Sequence, residues 1–535
     1  MPKQNIIHKD YTINNDSYQL VLPINTEILI SVDDSVRLLS QILEGLNYSK
    51  LMQAYSQAGR PPVSPRVLFK VIVYAYMNNI YSSRKIEKAC RRDINFMWLL
   101  GGEKAPDHNT ISRFRSERLA DAVDDLFYQF IRALNELGEI EYKNIFIDGT
   151  KIEANANKYS FVWKKATTKL EKRLSDNIHT FIEKMNAEYL TTFKVSPKKT
   201  NLELLEVVLQ FLNEKKKEKK IEFVSGTGKR KTALQKQIET LQEYIEKQKK
   251  YDSYNKIFDG RNSFSKTDHD ATFMHMKEDH MKNSQLKPGY NLQIGVEGEY
   301  IVGVDISSER SDQLTLIPFL ENLSEQLPKQ FENVIADAGY ESEENYVYLS
   351  EHQQKAYIKP QTYEEMKKKN FKKKINKREN MEYDAVADEY ICYNQKRLKH
   401  VDTQTRKSKS GYEAEIKVYE CESCEDCTHK NLCTKAKGNR KMEVSPLFIE
   451  KRQESLENIT SSQGIALRMN RSIQAEGAFG VLKEDYGFRR FLTRGKKNVK
   501  VEFMLLCFGY NVNKLHKNIQ NDNLGVTFYK KDVAA

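Results

Sequence analysis

The chain has 535 residues, which is more than one ordinary hydrophobic core needs and leaves room for two to four domains. Hydrophobic residues make up 39% and charged residues 30%, a balance that excludes a disordered or membrane-embedded chain. The formal net charge of +12 favours a polyanionic partner such as nucleic acid.

The expected localisation rests on the search for signal and membrane-spanning segments and on the pattern of cysteines. The N-terminus has no apolar run typical of a secretory signal, and the apolar stretches at 67–76 and 503–510 are too short to span a bilayer. Four of the seven cysteines are crowded together, which indicates reduced thiols and a metal site rather than disulfides. We therefore expect a cytoplasmic protein without a membrane partner.

Residues 1–135 are predicted to form a helical domain. A turn at Pro106 leads into a helix that carries Arg113 and Arg115. Helix, turn and basic helix are the parts of a helix-turn-helix, so we assign both arginines to DNA binding, although an ordinary bundle with a solvated basic face fits the same pattern. Apolar spacing predicts the preceding helices over Ser35–Leu46, Pro65–Met77 and Arg84–Leu100, the last ended by Gly101-Gly102.

A catalytic α/β core is predicted from the segments 140–157, 262–360 and 462–520. Two short apolar runs, at 145–147 and 334–336, predict buried strands that end at Asp148 and at Asp337. Between them we predict a hairpin of Tyr290–Val296 and Tyr300–Ile306, then a helix over Ser311–Leu323. Helices over 465–485 and over Val501–Leu515 close the core.

Two insertions interrupt this pattern. Residues 158–261 are lysine-rich and predicted to be helical, with a break at Ser225–Gly228 and one long exposed helix over Thr232–Lys250. Residues 361–461 are basic and contain the cysteine cluster.

Three carboxylates are candidates for holding divalent cations. Asp148 and Asp337 end strands, where a stiff backbone would position them, and Glu476 lies at the edge of a predicted apolar helix stripe. Gly480 and Lys483 share the side of that helix, so a phosphate could approach there. Two Mg²⁺ ions held by three converging carboxylates would neutralise the attacking and leaving oxygens of a phosphodiester. Taken singly, each residue is better explained as a strand cap or a surface residue, and only the combination of the three favours a catalytic site.

The cysteine cluster has the composition of a metal site. Its spacing is Cys421-x2-Cys424-x2-Cys427-x5-Cys433, and four thiolates are the ligands of a structural Zn²⁺. An iron–sulfur cluster also takes four cysteines, so the spacing leaves this alternative open. Cys90 and Cys507 lie on apolar helices and are predicted to be core residues.

Several motifs in order resemble bacterial insertion-sequence transposases of the DDE type, in particular the group named for element eleven-eighty-two, a relative of the group named for element five. The resemblance covers nearly the whole chain. The motifs are Gly59–Pro62 with Pro65, Arg84–Ile86, Pro106–Arg115, Ile147–Ala156, Asp268–Ala271, Lys287–Asn291, Ala336–Tyr340, Arg471–Glu476, Phe479–Lys483, Arg489–Phe491 and Arg494-Gly495.

The resemblance implies an RNase H-like core with a mixed sheet flanked by helices, and a catalytic triad of Asp148, Asp337 and Glu476 that binds two Mg²⁺ or Mn²⁺ ions. It implies a nucleoid-associated bacterial protein that binds double-stranded DNA, at its terminal inverted repeats and at its target, as a homo-oligomer. Asp268 and Asp312 are supporting acidic residues, and Asp305 and Asp312 are rivals for the second triad position. Further DNA contacts are assigned to Lys151, Arg471, Lys483, Arg489, Arg490 and Arg494.

The implied reaction is metal-dependent cleavage at the element's ends followed by strand transfer, without a covalent enzyme intermediate. Two other interpretations remain: a DNA-binding protein derived from a transposase, and an RNase H-like nuclease that does not transpose. The retained acidic triad argues against a protein that only binds DNA.

Overall fold

The structure is a computed structural model that describes residues 26–55, 63–194, 201–225, 230–276 and 284–529. The N-terminal segment considered for a signal, the motif at Gly59–Pro62 and the predicted break at Gly226–Gly228 lie outside these residues. In the described part, no helix is both long enough and apolar enough to cross a membrane.

Eight helices form the described N-terminal region. The predicted helix over Arg84–Leu100 is wrong as a single element, because Asp93 caps a new helix by accepting hydrogen bonds from the N–H groups of Asn95 and Phe96. Pro65–Met77 is confirmed as predicted and is buried along most of its length. The helices are α1 (Thr26–Leu29), α2 (Ser35–Glu44), α3 (Ser49–Met52), α4 (Pro65–Met77), α5 (Ser83–Cys90), α6 (Ile94–Leu100), α7 (His108–Arg113) and α8 (Val123–Glu136).

A mixed sheet of six strands follows the helices. Its order is β4-β5-β1-β7-β8, with β6 paired to β5. β1 runs antiparallel to β5 and parallel to β7, so the long β5–β6 hairpin and the parallel strands meet at β1. The strands are β1 (Asn144–Glu153), β4 (Thr272–His275), β5 (Leu286–Glu297), β6 (Tyr300–Ser307), β7 (Asn333–Ala336) and β8 (Lys355–Ile358); β2 (Phe161–Trp163) and β3 (Ser263–Ser265) form a separate pair.

The first predicted strand extends further than expected. Asp148 is not its last residue, because β1 continues to Glu153 through antiparallel pairing with β5. Entry into β1 is fixed by the buried Glu297, whose two carboxylate oxygens accept four backbone N–H groups of residues 141–144 at 2.9–3.1 Å. The strand that carries Asp148 is therefore held on both sides.

The first insertion is a three-helix unit with its own hydrophobic cluster. Its helices are α9 (Lys164–Tyr189), α10 (Asn201–Glu218) and α11 (Ala233–Phe258). The predicted exposed helix over Thr232–Lys250 is longer than expected, and one of its faces is buried through Leu241 and Ile245. The β2–β3 pair joins this unit to the core.

The second insertion contains a five-stranded antiparallel sheet in the order β13-β12-β11-β10-β9. Its strands are β9 (Glu382–Asp384), β10 (Glu389–Ile391), β11 (Arg397–Lys407), β12 (Glu413–Cys421) and β13 (Lys441–Val444). The helices before, within and after it are α12 (Leu316–Gln326), α13 (Glu343–Glu351), α14 (Tyr363–Met366), α15 (Lys430–Cys433) and α16 (Pro446–Thr460).

The C-terminal helices connect the sheet to the N-terminal region. α17 (Ser462–Arg471) and α18 (Gly477–Gly480) are joined and followed by π-helical turns at Ser472–Glu476 and Val481–Asp485. The last helix, α19 (Lys496–Gln520), is longer than predicted and packs against both α4 and β6. One hydrophobic core consequently runs through the N-terminal helices and the sheet.

Candidate active-site cleft

One cleft brings the three predicted carboxylates together. It has a volume of about 480 Å³, and Asp148, Asp337 and Glu476 all line it. Asp148 comes from the centre of the sheet, Asp337 from the end of the neighbouring strand β7, and Glu476 from the π-helical turn before α18. Residues far apart in the chain therefore reach one opening.

Asp148 is largely buried, with a side chain 18% exposed. Burial, together with the nearby carboxylates of Asp337 and Glu476, raises the pKa of Asp148 to about 6, although the guanidinium of Arg471 opposes the shift. The next residue must be small: a Cβ at Gly149 would lie 2.7 Å from Gln293 Nε2 and 2.9 Å from the Tyr340 hydroxyl. Asp148 thus stands among crowded, mutually repelling carboxylates.

Asp337 is positioned by the turn that follows β7. Its Oδ1 accepts a hydrogen bond of 2.7 Å from the Gly339 N–H, so the side chain caps the short 3₁₀ turn at 338–340. A Cβ at Gly339 would lie 2.9 Å from that oxygen and 3.2 Å from an oxygen of Asp312. The small residue lets both carboxylates approach the same place.

Asp312 is a further carboxylate of the cleft, beside the three predicted ones. Its Oδ1 accepts hydrogen bonds from Asn291 Nδ2 at 2.7 Å and from Gln293 Nε2 at 3.3 Å, and Tyr340 donates in turn to Gln293. These amides come from β5, which pairs with β1 beside Asp148. The rival Asp305 does not line the cleft.

Arg471 lies between two of the carboxylates. Its Nη2 is 2.6 Å from Glu476 Oε1, and its Nη1 is 3.5 Å from Asp148 Oδ1. Arg471 and Glu476 are five residues apart, a spacing that a π-helical turn places on one face. Ser472 also donates to Glu476, at 3.0 Å.

The walls of the cleft carry basic, acidic and apolar side chains. Lys287 pairs with Glu153 at 3.0 Å, Arg489 pairs with Glu484 at 2.6 Å, and Lys151 lies on β1. Lys483 Nζ is 5.7 Å from the ring centre of Phe479, one turn before it. This mixture of cations and carboxylates suits a phosphate-bearing substrate together with metal ions.

Carboxylate oxygens are the ligands that Mg²⁺ and Mn²⁺ prefer, so the cleft has the donor chemistry for divalent cations. Burial is the main cause of the raised pKa of Asp148, and the charges of Asp337 and Glu476 add to it; a bound cation would stabilise the ionised carboxylate against both effects. Within the described ranges, however, no three His, Cys, Asp or Glu side chains are grouped closely enough to hold a metal ion. In this arrangement the guanidinium of Arg471 is the cationic partner of Asp148 and Glu476.

Other predicted DNA contacts fall in different surroundings. Arg113 is exposed at the end of α7. Arg115 is only 6% exposed, and its guanidinium donates to the Tyr76 hydroxyl and the Tyr81 carbonyl, so its assignment to DNA is corrected to a core role. The reason is the π-helical turn after α7, which turns Arg115 inward.

Arg490 and Arg494 contact the end of β1 and the segment that follows it. Arg490 lies 3.8 Å from Glu153, and Arg494 Nε donates to the Asn155 carbonyl at 2.8 Å. Asp268 is buried outside the cleft, where it accepts hydrogen bonds from the Tyr290 hydroxyl and from the Gly495 N–H. Its contacts are those of a residue that supports the loop around Gly495.

The clustered cysteines line one small cavity of the second insertion, together with Cys392. The guanidinium of the buried Arg440 lies 2.8 Å from Cys433 Sγ, and its backbone N–H donates to Cys424 Sγ at 3.3 Å. Burial and the neighbouring Cys424 raise the pKa of the Cys421 thiol to about 12. Cys90 and Cys507 are buried in the main core, as predicted.

Comparison with protein families supports a transposase. Residues 391–516 match the model of a transposase DDE domain, and residues 24–117 match that of a transposase domain of the DUF772 family. No curated protein and no solved structure matches the chain. The two matches support an insertion-sequence transposase of the DDE type and hence an enzyme of DNA transposition. Glu476 and the four clustered cysteines lie inside the first match, whereas Asp148 and Asp337 lie outside both.

Sequence reasoning gave no role to several residues that line the cleft, although they lie within the motifs that carry the resemblance. Asn291, Lys287 and Glu153 are on β1 and β5, whose pairing register the sequence does not give. Their alternation with apolar residues was a usable signal, because every second residue of a strand points to one face. The bridging position of Arg471 depends on a π-helical turn that no sequence pattern indicated.

Proposed function

We propose that this protein is a transposase that binds the terminal inverted repeats of its insertion sequence, cleaves DNA at the element's ends and joins the freed strand to target DNA. The observation that carries the proposal is the meeting of Asp148, Asp337 and Glu476 in one cleft. The two transposase-domain matches supply the class of reaction. The specific group within that class is a proposal from sequence resemblance.

The fold is compatible with an RNase H-like catalytic core. In such a core an antiparallel hairpin lies beside a central strand that is parallel to the strands on its other side, which is the arrangement of β5–β6, β1, β7 and β8. We propose that the helical region preceding β1 contributes to end binding and that both insertions decorate the core.

Asp148, Asp337 and Glu476 would hold two Mg²⁺ or Mn²⁺ ions. When bound, such ions supply charge neutralisation at the attacking and leaving oxygens of a phosphodiester. Asp312 keeps Asn291 oriented beside the triad and is proposed as a positioning residue.

The cations around the triad would position the DNA. Arg471 and Lys483 reach the cleft from one side and Lys151 and Lys287 from the other, so a phosphate backbone between them meets positive charge on both sides. Arg471 would exchange its carboxylate partners for phosphate when metal and DNA enter. We further propose that the protein pairs two ends as a homo-oligomer.

End cleavage tests the proposal directly. Purified protein is incubated with duplex DNA that carries the element's inverted repeat, in Mg²⁺ or Mn²⁺, and nicked products are counted for the wild type, Asp148→Asn, Asp337→Asn and Glu476→Gln. Glu484→Gln is the matched control, because it removes another carboxylate from the same cleft. We expect wild-type and control cleavage, and a loss of at least about 1000-fold in each triad variant with binding retained.

Three results would contradict the proposal. Cleavage by a triad variant at the wild-type rate removes that residue from the site. Specific binding without cleavage by the wild type favours a DNA-binding protein, and cleavage without joining favours a nuclease that does not transpose.

We also propose that Cys421, Cys424, Cys427 and Cys433 bind a structural Zn²⁺. Two observations support this: the cysteines share one cavity, and the buried Arg440 lies against them. Its guanidinium donates to Cys433 Sγ, its backbone N–H donates to Cys424 Sγ, and it has no carboxylate within ion-pairing distance in the described residues. Thiolates bound to a metal would give that cation its counter-charge.

Metal analysis of the purified protein separates the alternatives. One zinc per chain that falls to zero in Cys424→Ser, and is unchanged in Cys90→Ala, is expected. Iron with a visible absorption band would indicate an iron–sulfur cluster instead, and absence of both metals would reject the site.

A further inference from the structure

A groove at the base of the first insertion is lined by lysines. Its volume is about 520 Å³, and its lining consists of Lys164, Lys165, Lys169 and Lys172 from the first turns of α9, together with Thr168 and Asn262. No carboxylate lines it. The four lysines are exposed, and within the described part of the chain none of them forms an ion pair. Such a concentration of uncompensated charge favours a polyanion.

The nearby acidic residue is turned away from the groove. Glu171 accepts hydrogen bonds from Asn255 Nδ2 at 3.1 and 3.2 Å, which directs its carboxylate toward α11. In the segment before β2, Lys158 adds a further positive charge and lies 5.0 Å from the ring centre of the exposed Tyr159. Basic side chains therefore extend from the segment before β2 into the first turns of α9.

The spacing of the lysines fits a nucleic-acid backbone. Lys165, Lys169 and Lys172 follow at helical spacings of four and three residues and so share one face of α9. They span about 10 Å along the helix axis, which is the rise of roughly three base pairs.

The groove also lies close to the cleft. Trp163, the residue before α9, has its ring centre 5.9 Å from that of Phe273 on β4. β4 pairs with β5 so that Met274 is opposite Lys287, a residue of the cleft wall. Along the chain, eleven residues from Glu153 to Lys164 span at most about 38 Å, or roughly one turn of duplex DNA.

We propose that this lysine groove holds the phosphate backbone of duplex DNA that extends from the cleft. This inference rests on the proposed function, and it assigns to the first insertion the role of a clamp on the flanking duplex. Contacts of this kind are made to phosphates, so they add affinity and register without reading base sequence.

A charge-reversal variant tests the groove. The variant K165E/K169E/K172E is compared with the wild type and with K184E/K217E/K236E, which makes the same change in charge at exposed lysines elsewhere on the insertion. Binding of a duplex of about 40 base pairs, roughly four helical turns, that carries the inverted repeat is measured in EDTA over a range of salt concentrations.

We expect Kd to rise by at least about 50-fold at 0.1 M salt in the groove variant, because removing one lysine–phosphate pair weakens binding about eightfold through counterion release. The salt slope should fall by about two to three, and the control should stay near the wild type. Circular dichroism of all three proteins checks folding.

Equal weakening in both triple variants, no weakening in either, or no DNA binding by the wild type would overturn the proposal. Failure of the proposed function gives a different pattern. If the wild type binds DNA through the groove but does not cleave it, the transposase function is rejected and the DNA-binding groove is kept. If the wild type cleaves normally and the groove variant binds as well as the wild type, only the groove proposal is rejected.

Discussion

Removing one carboxylate from the cleft should stabilise the metal-free protein. Asp148 is buried among Asp337 and Glu476, which raises its pKa to about 6, against about 3.9 in an unfolded chain. A carboxyl group with a raised folded-state pKa binds its proton more tightly when folded, so its ionisation costs folding free energy. That cost is absent below about pH 4, grows as pH rises to 6 and is constant above it.

The magnitude follows from the shift. Two pKa units correspond to about 3 kcal/mol at neutral pH, which Asp148→Asn recovers in part or in full. For 535 residues with an unfolding entropy of about 2.1 cal/mol/K each, the Tm rises by about 3 °C.

Thermal denaturation in EDTA at pH 7.5 and at pH 4 measures the effect, with the exposed Asp176→Asn on α9 as control. The gain should be present at pH 7.5, small at pH 4 and absent in the control. A lower Tm for Asp148→Asn at pH 7.5 would show that the pairing with Arg471 outweighs the cost of burying the charge beside other carboxylates, and the reasoning would be refuted.

Three further changes test the supports of the cleft. Glu297→Gln should lower the free energy of unfolding by roughly 3 kcal/mol, because about two of the four backbone N–H groups at the start of β1 lose their acceptor. Chemical denaturation measures this loss, and an unchanged midpoint would show that Glu297 does not stabilise the start of β1. Gly149→Ala should lower Tm and slow end cleavage, because the new methyl group would lie 2.7 Å from Gln293 Nε2 and displace that side chain. Cleavage at the wild-type rate would show that the cleft accommodates the methyl group. Arg471→Ala should lower Tm in EDTA, because it leaves the carboxylates of Asp148 and Glu476 without their cationic partner, and Mg²⁺ should restore part of the lost stability. An unchanged Tm in both buffers would show that the ion pairs of Arg471 do not stabilise the protein.

The sequence predicted the positions that depend on local pattern. The boundaries of α4 follow from Ser64-Pro65 and from apolar residues at helix spacing, and the hairpin of β5 and β6 follows from two apolar runs around Gly298. Asp337 was correctly placed at the end of a strand because β7 is short and fully buried.

Features that depend on pairing between distant segments were not predictable in the same way. The extension of β1 past Asp148 is imposed by β5, more than 130 residues later. Arg115 carries a charge that favours the surface, yet the π-helical turn and the hydroxyl of Tyr76 give it a buried partner. Local sequence propensity predicts neither the length of β1 nor the burial of Arg115, because both depend on tertiary contacts.

The most direct test of the account is metal-specific rescue at the cleft. In Asp337→Cys a thiolate replaces a carboxylate, a ligand that Mg²⁺ binds poorly and Mn²⁺ accepts more readily. End cleavage is measured in each metal, with the wild type active in both. If Asp337 holds a divalent cation, the variant is inactive in Mg²⁺ and regains activity in Mn²⁺. Wild-type activity of the variant in Mg²⁺ would contradict the central claim that these carboxylates hold the catalytic metal ions.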